Sequence, residues 1–184
     1  MNLFEKFAVA LPLADFLTKH GLPAHKERWD RTFNQVKLTD DQAKLLKAFK
    51  RETPVLVLAG AWCGDCSGQC PIFERFAEAA PCLKIRYIDR DVHADAQIEL
   101  KINGGNRVPV AVFFSEDGLE IARYGERTLS QYRSMVATQT GEACGSGLLG
   151  KDQLTAITQD WLNEFERVQW ILRLSPRLRT KHGD

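Results

Sequence analysis

Residues 55–71 read VLVLAGAWCGDCSGQCP, an apolar run that passes without a break into three cysteines. A short continuous apolar run of this kind suits a strand buried on both faces. Cys63 follows it at once and stands where the next helix should open. The order of buried strand, cysteine and helix points to an α/β design, in which a sheet carries helices on its faces. It leaves three chemical readings of the cysteines: a redox dithiol, a metal site, or buried thiols that are merely close together.

The surrounding pattern extends this design. PVLVLA (54–59), LKIRYID (83–89) and VPVAVFF (108–114) read as strands. LEIARYG (119–125) reads as a hairpin partner, after a turn at EDG (116–118). Helices are predicted over 64–79, 93–101 and 128–137, and NGGN (103–106) marks a turn. The order is β-α-β-α-β-β-α, with the first two strands parallel across a helical crossover.

Helical segments flank this unit, giving three segments: an N-terminal extension over 1–52 packed on the core, an α/β domain over 53–137, and a loop plus helix over 138–184. Leu3, Phe4, Phe7, Leu11, Ala14 and Leu17 approximate one helical stripe, with Pro12 as a kink. A second helix is predicted over 25–35. A third follows Thr39, an N-cap residue with Gln42 three positions later, and its apolar face is Leu45, Leu46 and Phe49. TQTGEACGSGLLG (138–150) reads as a loop. The helix over 152–173 has a strong stripe of Leu154, Ile157, Trp161, Phe165, Val168 and Leu172. The basic tail RLSPRLRTKHGD reads as solvated.

Composition excludes several classes of function. The net charge is +1, with 44% hydrophobic and 27% charged residues, which gives no basic surface for nucleic acid. No run approaches the roughly 20 apolar residues of a membrane span. FAVALPLA near the N-terminus lacks the positive start of a signal peptide, since Glu5 cancels Lys6. Five cysteines, an odd number, do not form a disulfide framework. The expectation is a reducing compartment, the cytoplasm, where a paired motif is catalytic or metal-binding more often than structural.

Of the three readings, the dithiol accounts for most. A thiolate at a helix start meets free backbone N–H groups and the positive end of the helix dipole, which lower its pKa. Cys66 lies one turn on, within reach of Cys63. A zinc or iron–sulfur site needs four ligands, and no second paired motif accompanies Cys63, Cys66 and Cys70. Cys82, Cys144, His20, His25, His93 and His182 are isolated, so neither a metal nor a bound cofactor is expected. Cys70 and Cys82 read as small buried residues, Cys144 as an exposed one.

The residues WCGDC at 62–66, Pro71 within the helix, Val108-Pro109 at a strand start and Gly118 in the hairpin turn together resemble the thioredoxin family, over about residues 53–137. The phrases LAGAWCGDC, IRYIDRD, NGGNRVPV and RYGER resemble a bacterial thioredoxin-like subgroup with helices added at both ends. The resemblance implies a mixed four-stranded sheet flanked by helices, a cis peptide before Pro109, and disulfide exchange by Cys63 and Cys66. It places Trp62, Gly64, Asp65, Arg107, Val108 and Pro109 against the substrate chain. Two departures stand out. Val57 occupies the position of the buried aspartate usual in the family, and Tyr87 falls near its lysine. Asp65 replaces the usual proline, so proton transfer would fall to water or to Asp65.

The expected activity is that of a protein-disulfide reductase. Its partners are a disulfide-containing protein or a small thiol substrate, and an electron donor that the sequence does not identify. The alternative is a binding or adaptor module on the same scaffold, with a dithiol that is only regulatory.

Overall fold

A computed structural model describes residues 2–140 and 153–184. Cys144 and most of the expected loop at 138–150 lie outside the described residues.

Four strands form one mixed sheet: β1 (Thr53–Ala59), β2 (Leu83–Asp89), β3 (Val110–Phe114) and β4 (Glu120–Gly125), in the order β2-β1-β3-β4. β1 pairs parallel with β2 and antiparallel with β3, and β3 pairs antiparallel with β4. All seven residues of β1 are buried, because helices cover both sides of the sheet. The register puts Val57, Tyr87, Ala111 and Tyr124 in one row across one face.

On that face lies α5 (Gly64–Ala79), which carries the cysteines and Pro71. The long helix α8 (Gln153–Leu174) packs beside it. Trp161 and Phe165 of α8 meet Phe73 and Phe76 of α5, Phe113 of β3 and Tyr124 of β4 in edge-on contacts, with one tilted pair, Phe73–Phe165, at 4.5–5.6 Å between ring centres. The other face receives α1 (Leu3–Val9), where Phe4 sits 5.3 Å from Phe114, edge to face. The remaining helices are α2 (Leu13–His20), α3 (Pro23–Gln35), α4 (Asp40–Lys47), α6 (Ala94–Glu99), α7 (Leu129–Thr140) and α9 (Pro176–His182). The start of α4 is the expected capping box: Thr39 Oγ1 accepts from Gln42 N, and Gln42 returns a bond to Thr39 N.

Three expectations need correction. Residues 3–17 are not one kinked helix. The helix breaks at Ala10, since Pro12 cannot donate and restricts Leu11 to extended backbone. Leu11 then exchanges both backbone hydrogen bonds with Tyr87, at 2.9 and 2.8 Å, and so covers the β2 edge of the sheet. Second, α7 runs on to Thr140, into the segment read as loop. Third, the basic tail is not simply solvated. Pro176 opens α9 and Leu178 is wholly buried. Arg177 grips Asp117 at 2.6 and 3.0 Å, Lys181 and His182 reach Glu116, and Asp184 pairs with Arg51 and Arg173. Apart from Arg173, 11 positions from Asp184, these partners lie 60 or more positions away in the sequence, out of reach of local pattern.

Candidate active site

The carboxyl end of β1 delivers Cys63 to the start of α5. Cys63 is the N-cap residue, with extended backbone, and its sulfur accepts the N–H of Cys66 at 3.5 Å. Cys66 lies one turn inside and accepts from Gly60 N at 3.5 Å. Cys63 is 8% exposed and Cys66 is 0% exposed. The outer sulfur can therefore meet a second molecule, and the inner one can meet only Cys63 or Cys70. Cys63, Cys66, Cys70 and Cys82 are all free thiols. Among the described residues no group of three His, Cys, Asp or Glu side chains is arranged to hold a metal ion.

The peptide bonds Val108–Pro109 and Gly125–Glu126 are both cis. The Val108 carbonyl accepts the Cys63 thiol at 3.8 Å, so the turn before β3 faces the cysteine pair. At Gly125 the φ is +153°, and a Cβ there would lie 2.3 Å from the Pro109 carbonyl oxygen, so only glycine fits at the end of β4. Trp62 is 43% exposed and lies over Gly60, where a Cβ would collide with the indole at 2.9 Å. Gly64 faces open space. Arg107 and Asn106 are exposed on the turn before Val108.

Asp65 is not a free surface carboxylate. Arg127, in the segment between β4 and α7, holds it with two nitrogens at 2.6 and 3.3 Å. Glu126 is buried, accepts the Tyr132 hydroxyl at 2.9 Å, and lies 3.5 Å from Arg127 and 3.6 Å from Arg107. Gln69 of α5 steadies this segment. Its amide donates to the Glu126 carbonyl at 2.9 Å and accepts from the Trp161 indole at 2.9 Å, so α8 reaches the site through one buried side chain. On the other flank Arg28 of α3 donates to the Trp62 carbonyl at 2.8 Å, and Arg90 stacks on the Trp62 ring at 4.6 Å. Sequence reasoning missed Arg28, Arg90, Arg127, Glu126 and Gln69. The RYGER phrase was the only pointer to Glu126 and Arg127, and nothing local marks Arg28, which lies 34 positions from the residue it bonds.

Cys63 and Cys66 lie one turn apart, and each shifts the ionisation of the other. The sequence reading expects a lowered Cys63, and the structure reverses that sign. The Cys66 side chain and then burial raise the Cys63 thiol, outweighing the N–H groups of Cys66 and Asp65 that pull it down. Burial raises Cys66 well above the ordinary thiol range, with Cys70 adding to the effect. Of the two sulfurs, Cys63 is the better seat for the one anion, since it is the more exposed and faces two N–H groups. Val57 leaves no carboxylate beneath the pair. Beside it in register, Tyr87 donates to Glu74 at 2.8 Å, and burial raises both groups.

A helix-capping cysteine, a second cysteine one turn later and a facing proline turn on a mixed sheet define a thioredoxin-like protein. The chain belongs to the thioredoxin family, whose model, described as Thioredoxin, matches residues 12–139. Among solved structures it is similar to a protein of unknown function from Pseudomonas aeruginosa, with a TM-score of 0.67 and 17% identity, covering 88% of this chain and 93% of that one. It is also similar to an HIV epitope-scaffold, with a TM-score of 0.61 and 20% identity, covering 90% of this chain and 91% of that one. Both likenesses concern the fold and include the added helices. A Fasciola hepatica thioredoxin shares 25% identity, covering 53% of this chain and 90% of its own, with a TM-score of 0.36. No curated protein matches the chain.

Proposed function

We propose that the chain is a thiol-disulfide oxidoreductase that reduces disulfides in other molecules, in the cytoplasm of a bacterium. The observation that carries this reading is the pairing of a helix-capping Cys63, still 8% exposed, with a wholly buried Cys66 one turn away. The free thiols among the described residues suit a reducing compartment, and no described helix is long and apolar enough to cross a membrane.

Cys63 loses a proton and attacks one sulfur of the substrate disulfide. That S–S bond breaks, a Cys63–substrate disulfide forms, and the departing substrate sulfur leaves as a thiolate. Cys66 then loses its proton and attacks Cys63. The Cys63–Cys66 bond forms, and the second substrate sulfur departs. The substrate has gained two electrons and two protons, and the pair has lost them. A dithiol donor restores the pair by the reverse exchange. Sulfur carries the electrons throughout, so the cycle calls for no bound cofactor. The environment supports this direction: Cys63 is raised by the Cys66 contact and then by burial, and Cys66 by burial, so neither gains much from ionising and the reduced form is not held by thiolate stabilisation, as it is in strong oxidants. The open space before Gly64 and the turn carrying Arg107, Val108 and Pro109 would seat the substrate chain beside Trp62 and Cys63.

The test is turnover of a protein disulfide with dithiothreitol as donor. The expected result is a rate well above the uncatalysed one, lost in Cys63→Ser. A wild-type rate equal to the uncatalysed one overturns the reading in favour of a binding module.

A further inference from the structure

The cysteine pair is ringed by four arginines from four segments: Arg28 in α3, Arg90 after β2, Arg107 before β3 and Arg127 after β4. Three carboxylates stand among them, and they do not balance the ring evenly. Asp65 is taken up by Arg127 through two nitrogens, and Asp91 pairs with Arg90 at 2.9 Å. Glu126 is buried, its side chain 6% exposed, and is shared between Arg127 and the Tyr132 hydroxyl. Arg28 keeps its guanidinium on the Trp62 carbonyl and, among the described residues, pairs with no carboxylate. Arg107 is 52% exposed and pairs with the buried Glu126 at 3.6 Å, but among the described residues its guanidinium makes no hydrogen bond, so its N–H groups are to spare.

Both arginines adjoin the backbone on either side of the reacting sulfur. Arg28 ends on the carbonyl of the residue directly before Cys63. Arg107 directly precedes Val108, whose carbonyl lies 3.8 Å from the Cys63 sulfur. The Trp62 ring is exposed, and Gly64 faces open space. A guanidinium with spare N–H groups is suited to take a carboxylate through two hydrogen bonds.

We infer that the partner of this site is a polypeptide segment bearing Asp or Glu beside its disulfide, received by Arg28 and Arg107. This rests on the disulfide-exchange reading and specifies the substrate class for it. Such complementarity acts mainly on the rate of encounter and on the choice among partners, and salt weakens it.

The test uses the reduced full chain, freed of donor, in single-turnover reaction with three synthetic peptides. Each peptide holds one intramolecular disulfide, flanked by Asp and Glu, by Gln and Ser, or by Lys. Oxidation of the protein is read by mass after acid quench. The acidic peptide is expected to react at least about fivefold faster than the basic one at low salt, and within about twofold at roughly 0.5 M salt. The double variant Arg28→Gln/Arg107→Gln is expected to bring the low-salt ratio to about two or less. Oxidised glutathione, a small disulfide with its own carboxylates, is the control for size and should react more slowly than the acidic peptide. Equal rates for the three peptides at low salt, a preference for the basic one, or faster reaction with glutathione would each overturn the inference. No reaction with any disulfide would instead overturn the dithiol reading on which it rests.

Discussion

Arg127 and Asp65 set the charge that stands beside Cys63. With the guanidinium bound through two nitrogens, the Asp65 carboxylate is neutralised locally. Freed from it, the carboxylate, two residues along from the sulfur, would raise the Cys63 thiol by about half a pH unit. The thiol is already raised by Cys66 and by burial, so the resting pair is protonated near neutrality. The attacking species is the thiolate, so the rate of attack should climb with pH. We expect the single-turnover rate to rise about tenfold per pH unit from roughly pH 6 to 8, and the Arg127→Gln profile to lie about half a unit to the alkaline side. A rate that levels off below pH 6 would show a lowered thiol. An unshifted Arg127→Gln profile would show that Asp65 does not act on the sulfur. The cysteine pair, its spacing and its place at a helix start are legible in the sequence because all three are local. The Arg127–Asp65 pair joins residues 62 positions apart, and only the fold reveals it.

At the scale of elements, α8 is bound to the sheet by both apolar and polar contacts. Gln169 accepts the N–H groups of Lys50 and Arg51 at 3.2 Å each, and donates to the Arg51 carbonyl and to Thr53 Oγ1 at 2.8 Å each. It thereby satisfies the backbone just before β1, under cover of a buried helix. Gln169→Ala should cost about 2–4 kcal/mol, read from the urea midpoint, because it strands buried backbone groups. A loss under about 0.5 kcal/mol would mean that water or another side chain replaces the amide. The helix α9 is docked differently, by charge. Arg177 and then Ser115 hold Asp117 down to about 2, and Lys181 and His182 lower Glu116. Carboxylates in unfolded chain titrate near about 4. The contribution of Asp117 is therefore complete above about pH 4 and disappears as the pH falls through about 2. The protection of the amides over 176–182, taken against their intrinsic exchange rate at each pH, should fall across that window, and in Asp117→Asn it should already be low at about pH 5. Protection that is independent of pH over this range would place the docking on Leu178 alone.

Across the whole molecule, the sequence is most informative where structure repeats locally. The buried strand β1, the helix behind Cys63, the hairpin and the Thr39 capping box all follow from period, turn residues and caps. The Leu11 bridge to Tyr87, the docking of α9 and the arginine ring do not, because each joins segments far apart in the sequence. The sign of the Cys63 shift was misread for the same reason: the helix start is a local feature, while burial and the Cys66 contact belong to the folded site. Gln69 shows how these levels meet, since one amide carries Trp161 of the added helix to the Glu126–Arg127 segment and so to Asp65.

The central claim is that Cys63 attacks and Cys66 resolves. The direct measurement is intact mass, with peptide mapping, of Cys66→Ser and Cys63→Ser after each reduced protein meets a disulfide peptide. The account predicts a stable mixed disulfide on Cys63 in Cys66→Ser, since the wholly buried partner that would release it is gone. It predicts no adduct on Cys66 in Cys63→Ser. An adduct on Cys66, or none in either variant, would contradict it.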